Sequence, residues 1–143
     1  MITMDEYNRT QLEKAINQYI NDFSNKKLNR KDTKSFKTYG KIEGRLDWGT
    51  IKASTPNYGY CTINLGYQFH GKSPYFTLTI FPTYNLHHDR DTRAQTDSIE
   101  VEIFLTKAQA KTLVSLYGQE LVDMVLNENK IETFEQLQDV DEY

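Results

Sequence analysis

Residues 85–93, "NLHHDRDTR", gather the side chains of this chain best suited to metal binding or acid–base chemistry. His87 and His88 are adjacent, so in an extended chain they point apart and bind one ion only if the loop curls. Asp89 and Asp91 lie on one side of an extended chain, where their carboxylates can hold a hard cation. Arg90 and Arg93, in the same stretch, offer these carboxylates local ion pairs, so the stretch is also consistent with a solvated polar loop.

Two interpretations of this stretch follow. A metal-dependent hydrolase would draw on Asp89, Asp91, Glu100 and Glu102, since such sites gather carboxylates at a strand end. The chain carries no metalloprotease, phosphate-loop or EF-hand motif, and this favours a polar loop that contacts a partner. The long connection 82–97 exceeds the usual length of a plain link between strands. We therefore expect no metal, no cofactor and no catalytic activity.

Charge is distributed unevenly along the chain, although the net charge is only −3. Residues 24–53 hold nine Lys and Arg against three acids, a balance of +6. Residues 119–143 hold one Lys against eight acids, a balance of −7. This asymmetry is the most informative functional feature in the sequence and predicts charged interaction surfaces.

The basic segment 24–41 predicts contact with phosphates, which cations bind without reading sequence and in a salt-dependent way. Its candidate binding residues are Lys26, Lys27, Arg30, Lys31, Lys34, Lys37 and Lys41. Aromatic side chains on the polar face of the predicted sheet are Tyr60, Tyr75 and Phe81. Aromatic rings along a polar sheet face stack bases in single-strand binders, so the first hypothesis is a non-enzymatic protein that binds nucleic acid or a nucleic-acid-handling complex.

The acidic region 119–143 supports an alternative hypothesis. Small acidic proteins inhibit nucleic-acid enzymes by occupying the groove where phosphates would lie, and charge steering speeds their association. An inhibitor or immunity-type protein of this kind would use the 82–97 loop together with an acidic interface. That interface consists of Glu120, Asp123, Glu128, Glu132 and Glu135.

Length and composition are those of one domain spanning residues 1–143, with a charged fraction of 26% and an aromatic fraction of 13%. No apolar run approaches the length of a membrane span, so no membrane association is expected. The N-terminus lacks the pattern of a secretory signal, and the single cysteine, Cys61, has no internal partner for a disulfide. Together these features predict a cytoplasmic protein.

The elements that position these residues are predicted by hydrophobic periodicity. Apolar residues at helical spacing predict an amphipathic helix over about 4–23, preceded by a capping-box pattern from Thr3 to Glu6. The stretch 45–54 predicts a strand with a β-bulge at Gly49, where its apolar alternation changes phase. Alternating runs at 60–69 and 74–81 predict a β-hairpin, and "SIEVEIFL" (98–105) predicts a further strand. Thr106 and Gln109 then form a second capping box before a helix expected to end at Gly118.

This order of elements predicts an α+β fold, with an antiparallel sheet of 3–4 strands and the N-terminal and C-terminal helices packed on one face. A sheet covered on one side alternates apolar and polar residues along each strand. The face expected under the helices consists of Cys61, Ile63, Leu65, Phe76, Leu78, Ile80, Ile99, Val101 and Ile103.

Overall fold

The computed structural model describes residues 1–30, 39–49, 57–87 and 97–115. Within these ranges, five strands and two helices follow one another. Their bounds are β1 (Ile2–Thr3), α1 (Glu6–Ser24), β2 (Gly40–Trp48), β3 (Asn57–His70), β4 (Ser73–Ile80), β5 (Val101–Leu105) and α2 (Lys107–Ser115). Neither helix has the length and apolar character needed to cross a membrane.

The strands form one antiparallel sheet in the order β1-β2-β3-β4-β5, so each strand pairs with its neighbour in sequence. The predicted α+β class and antiparallel sheet are confirmed, whereas the expected number of strands was too low. The additional strand, β1, has only two residues, Ile2 and Thr3, which pair with Leu46 and Arg45. A two-residue strand leaves no periodicity for sequence analysis to detect.

Helix α1 begins two residues later than the predicted capping box implies. Thr3 lies in β1, and the helix is capped by Asp5, whose carboxylate accepts a hydrogen bond from the Asn8 backbone N–H at 2.8 Å. The Asn8 side-chain amide donates to the same oxygen, and these bonds lower the pKa of Asp5. The second predicted capping box is confirmed at α2, where Thr106 and Gln109 exchange side-chain-to-backbone bonds of 2.9 and 3.1 Å.

The C-terminus of α1 is closed by a Schellman motif. Lys26 donates its backbone N–H to Phe23, and Lys27 donates to Asp22. The chain reverses at Lys26, which has a φ of 53° and therefore lies in the left-handed region that glycine prefers.

Both helices pack on one face of the sheet, as predicted. The buried residues on this face belong to α1, α2 and every strand, and Tyr19 of α1 lies at the centre, donating its hydroxyl to the Pro74 carbonyl oxygen at 2.9 Å. Most of the residues predicted for this face are buried or partly buried against the core. Ile99 and Val101 are the exceptions, with 78% and 41% of their surface exposed. Ile99 precedes the strand, and β5 has a described neighbour on one side only, so the core does not enclose either residue.

Strand β3 is the longest element of the sheet, and it changes neighbours along its length. Residues 57–65 pair with β2, and residues 63–70 pair with β4. Beyond β4 the chain continues beside the first part of β3, where Phe81 donates its N–H to Thr62 and Leu86 donates to Tyr58. Gly59 permits this approach, because a Cβ there would overlap the Tyr84 carbonyl oxygen and lie 2.7 Å from the Thr83 methyl group.

The face of the sheet opposite the helices, here called the outer face, is polar but contains deeply buried side chains. Asn64 and Thr79 are directly paired across β3 and β4 and are 4% and 1% exposed. Among the residues that the structure describes, neither the Asn64 side-chain carbonyl nor the Thr79 hydroxyl has a hydrogen-bond partner. A buried polar atom without a partner costs folding free energy, so this pair is a weak point of the sheet.

Replacing Lys26 by glycine should stabilise the protein. The substitution removes the steric cost of a left-handed side chain, and we expect the free energy of unfolding to rise by about 1 kcal/mol. Lys27→Gly is the matched control, since it removes the same positive charge at a residue whose backbone is not left-handed. Urea denaturation of both variants measures the difference. Equal stabilities for the two variants would contradict the assignment of strain to Lys26.

Thr79→Val should also raise the free energy of unfolding, by about 1 kcal/mol, because a methyl group replaces an unbonded buried hydroxyl of the same shape. Thr106→Val makes the same chemical change where the hydroxyl accepts a bond from the Gln109 N–H, and should lower stability by about 1 kcal/mol. Chemical denaturation of the two variants gives the comparison. A loss of stability in Thr79→Val would show that its hydroxyl has a partner.

Candidate functional site

The first residue of the polar stretch, Asn85, is a buried anchor at the base of the 82–97 loop. Its backbone N–H donates to the Asp97 carboxylate at 2.9 Å, and its side-chain N–H donates to the Asn57 side-chain oxygen at 3.0 Å. The side-chain oxygen of Asn85 accepts from the His87 backbone N–H. Thr83 and Ser98 exchange two further bonds, so both ends of the loop are fixed to the sheet.

The remainder of the polar stretch, including His88, Asp89 and Asp91, lies outside the described residues. The His87 ring lies near the Tyr58 ring, with 6.4 Å between centroids. Glu100 and Glu102, the other acids of the hydrolase hypothesis, are exposed. Within the described ranges, no group of three His, Cys, Asp or Glu side chains is placed to hold a metal ion.

The basic segment is described in part. Lys26, Lys27 and Arg30 are exposed just beyond the C-terminus of α1, and Lys41 is exposed on the outer face of β2. The other predicted phosphate-binding residues, which are Lys31, Lys34 and Lys37, lie outside the described residues. So do the members of the acidic interface, which are Glu120, Asp123, Glu128, Glu132 and Glu135.

Cations from three separate segments meet at one end of the molecule, here called the basic end. Its members are Lys26, Lys27, Arg30, Lys72 and Lys107. Lys107, at the start of α2, places its ammonium group 4.5 Å from the centroid of the Phe23 ring, in the last turn of α1. Tyr19 joins α1 to Pro74, two residues beyond the hairpin turn that carries Lys72.

Most of the cations at the basic end are uncompensated. In the part of the chain that the structure describes, Lys26, Lys27, Arg30 and Lys72 form no ion pair. The nearest acid of α1, Asp22, accepts a hydrogen bond from the Tyr39 hydroxyl at 3.2 Å. Burial raises the pKa of this hydroxyl, and the Asp22 carboxylate raises it further. The basic end is therefore available to an anionic partner.

Sequence analysis missed Lys72 and Lys107 as members of this surface. Each is an isolated cation in its own stretch, one in a hairpin turn and one in the first turn of a helix. Charge density along the sequence indicates runs such as 26–31. It does not indicate cations that are distant in sequence and that the fold brings together. The available signal was indirect. Lys72 lies in the predicted hairpin turn and Lys107 at the predicted helix start, and both features had to lie at strand ends.

The predicted aromatic residues differ in exposure. Tyr60 is 73% exposed on the outer face, Phe81 is half-buried, and Tyr75 is only 5% exposed. Tyr75 is packed edge-on against His70, which in turn lies against Phe104 with 4.9 Å between ring centroids. Burial in this group lowers the pKa of His70, and the Glu102 carboxylate partly offsets that shift.

Cys61 occupies a structural position on the helix-covered face of β3. Burial raises the pKa of its thiol, and backbone hydrogen bonds partly oppose the shift. A thiol with a raised pKa is a poor nucleophile, so Cys61 contributes packing.

Comparison with known proteins gives a family. None of the curated proteins matches this chain, and none of the solved structures does. One family model, described as "Uncharacterised Treponema protein", matches residues 1–124 and so covers all the described elements. The chain belongs to this family.

Proposed function

We propose that this protein binds nucleic acid, or a complex that handles nucleic acid, without catalysing a reaction, and that the basic end contacts the phosphates. The observation that carries the proposal is that exposed cations from the segment after α1 and from the β3–β4 turn, which form no ion pair among the described residues, lie at the same end of the molecule as Lys107 of α2. Cations that are not engaged in ion pairs displace counterions from a phosphate backbone, which drives association at low salt.

The aromatic part of the proposed interface rests on Tyr60. Its ring is open to solvent on the outer face, whereas Tyr75 is enclosed by its neighbours. Lys41 is paired with Asn64 in the sheet, four residues along β3 from Tyr60, and so offers a phosphate contact on the same face. We propose that this interaction takes place in the cytoplasm, without a cofactor and without a membrane.

Removing cations from the basic end should weaken nucleic-acid binding and its salt dependence together. We expect Lys27→Gln/Arg30→Gln to lower the slope of log K against log salt by about two, one for each lost phosphate contact. The loss of affinity should be similar for all base sequences, because phosphates carry no sequence information. Fluorescence anisotropy of labelled single- and double-stranded DNA and RNA, from low to near-physiological salt, measures both quantities.

Arg9→Gln/Lys14→Gln is the control matched in charge. Lys14 lies ten residues before the end of α1, or about 15 Å along the helix, which exceeds the screening length of about 8 Å at physiological salt. This variant should retain most of the wild-type affinity and slope. Equal losses in the two variants would show that net charge alone matters, and an absence of binding at low salt would contradict the proposal.

An acidic inhibitor of a nucleic-acid enzyme is the second candidate function. The fixed base of the 82–97 loop favours it, since Asn85 and Asp97 hold the loop ends where an interaction loop would need a rigid support. The same anisotropy measurement separates the two candidates. A protein that binds its partner through acidic residues has no reason to bind labelled nucleic acid at low salt.

A further inference from the structure

A cavity of about 490 Å³ opens beside the end of β1, far from the basic end. This volume falls within the range of roughly 300–1,000 Å³ typical of small-ligand sites. Its walls come from β1, the start of α1, β2 and β3. They consist of Thr3, Met4, Asp5, Asn8, Glu43, Gly44, Arg45, Tyr60, Cys61 and Thr62.

The cavity exists because β1 is so short. The chain leaves the sheet after Thr3 and begins α1, so β1 pairs with Arg45 and Leu46 but not with Glu43. The Asn8 side-chain oxygen accepts the Glu43 backbone N–H at 2.9 Å, which satisfies the strand edge and ties the helix to it. This bond fixes the start of α1 at the edge of β2, where the cavity opens.

The side chains of the walls suit a neutral ring with N–H donors better than a phosphate. Arg45 is already engaged, since its guanidinium bonds Asp47 at 3.0 Å and lies 4.4 Å from the Tyr58 ring centroid. The Asp5 carboxylate caps α1. Among the described residues, no side chain pairs with the exposed Glu43 carboxylate, and Glu43 and Asp5 together repel an anion.

We propose that this cavity binds one base of a single-stranded nucleic acid, with the base stacked on Tyr60 and its N–H groups donating to Glu43. Guanine fits best, because its N1–H and N2–H donors are adjacent and match the two oxygens of one carboxylate. Adenine and cytosine each place an acceptor beside their amino donor, and that acceptor would face the carboxylate unfavourably. This inference rests on the proposed function, which supplies the phosphate contacts elsewhere on the protein.

The base site and the basic end lie at opposite ends of β3. From Tyr60 to His70, beside the turn that carries Lys72, there are ten residues, or about 33 Å of extended strand. A mononucleotide therefore reaches one site only, whereas an oligonucleotide of adequate length engages both. The two contributions are separable by experiment.

The test uses the full-length protein and labelled thymine 12-mers carrying one central guanine, adenine or cytosine. Wild type should bind the guanine strand about tenfold more tightly than the others. Tyr60→Ala should lower single-strand affinity about tenfold and leave the salt slope unchanged, because stacking involves no counterion. Tyr60→Phe keeps the ring and should bind like wild type. Since Tyr60 is exposed, none of these changes disturbs the core.

Glu43→Gln tests the hydrogen-bonding edge. Glutamine offers one acceptor and one donor, the pattern that pairs with adenine, so this variant should lose the preference for guanine and gain relative affinity for the adenine strand. Equal affinities for all three strands in wild type, with no effect of Tyr60→Ala, would overturn the base site. In that case the slope of log K against log salt would persist, and the proposed function would not be contradicted.

A titration with guanosine, which carries no phosphate, examines the base site alone. The backbone amide resonances of Glu43 and Thr62 should shift saturably with guanosine and little with adenosine. An absence of shifts overturns the base site whatever the oligonucleotides do. Shifts with guanosine in a protein that binds no oligonucleotide at low salt would support the base site and overturn the proposed phosphate contacts.

Discussion

The rest of the structure depends on how β3 finds partners for both of its edges. The strand is fourteen residues long, and only residues 63–65 have β2 on one side and β4 on the other. Each half therefore needs an additional neighbour. The first half receives the chain beyond β4, which donates backbone N–H groups to Tyr58 and Thr62. Beside the second half, the side-chain hydroxyl of Tyr67 bonds both backbone groups of Asn29, in the chain beyond α1. Buried backbone groups must be paired, so the irregular segment beyond β4 is as necessary as the strands.

This constraint also explains why the two candidate surfaces lie where they do. The segment that Tyr67 holds beside the second half of β3 follows directly from the Schellman motif of α1, and it brings Lys26, Lys27 and Arg30 toward the end of the sheet that carries the hairpin turn. Gly59 lets the opposite segment cross the first half at close range and position Asn85. The base of the 82–97 loop and the basic end are therefore products of one strand that is longer than its partners.

Local sequence patterns predicted the regular elements well. They failed where tertiary contacts determine the position of a helix cap or the burial of a side chain. The β-hairpin and the capping box of α2 need only a few residues in a row, and both were predictable. The N-cap of α1 was misplaced because Thr3 satisfies the same four-residue pattern as a true cap, while its pairing with Arg45 draws it into the sheet. Ile99 and Val101 alternate as core residues do, but no alternation reveals that a strand lies at the edge of a sheet.

The candidate surfaces were less predictable for the same reason. Tyr60 and Tyr75 belong to one face by their spacing, yet Tyr75 is buried and packs on His70 at the far end of β3, which in turn lies against Phe104 of another strand. Similarly, the charge run predicted one segment of the basic end, and Lys72 and Lys107 join it only through the packing of Tyr19 and Phe23. The exposure of a side chain and the convergence of distant cations are properties of the fold, whereas residue type and hydrophobic period are properties of the sequence.

In the proposed mode of binding, the distribution of charge separates affinity from selectivity. The cations of the basic end lie at one end of β3, and the carboxylates of Asp5 and Glu43 lie at the other, where they would repel a phosphate but accept the donors of a base. The separation of about 33 Å is several screening lengths at physiological salt, so neither group of charges alters the binding affinity of the other appreciably. Distant sites without shared partners contribute additively to binding free energy. A strand that spans both ends therefore gains salt-dependent affinity from the basic end and base preference from Tyr60 and Glu43, and each can change by mutation without loss of the other.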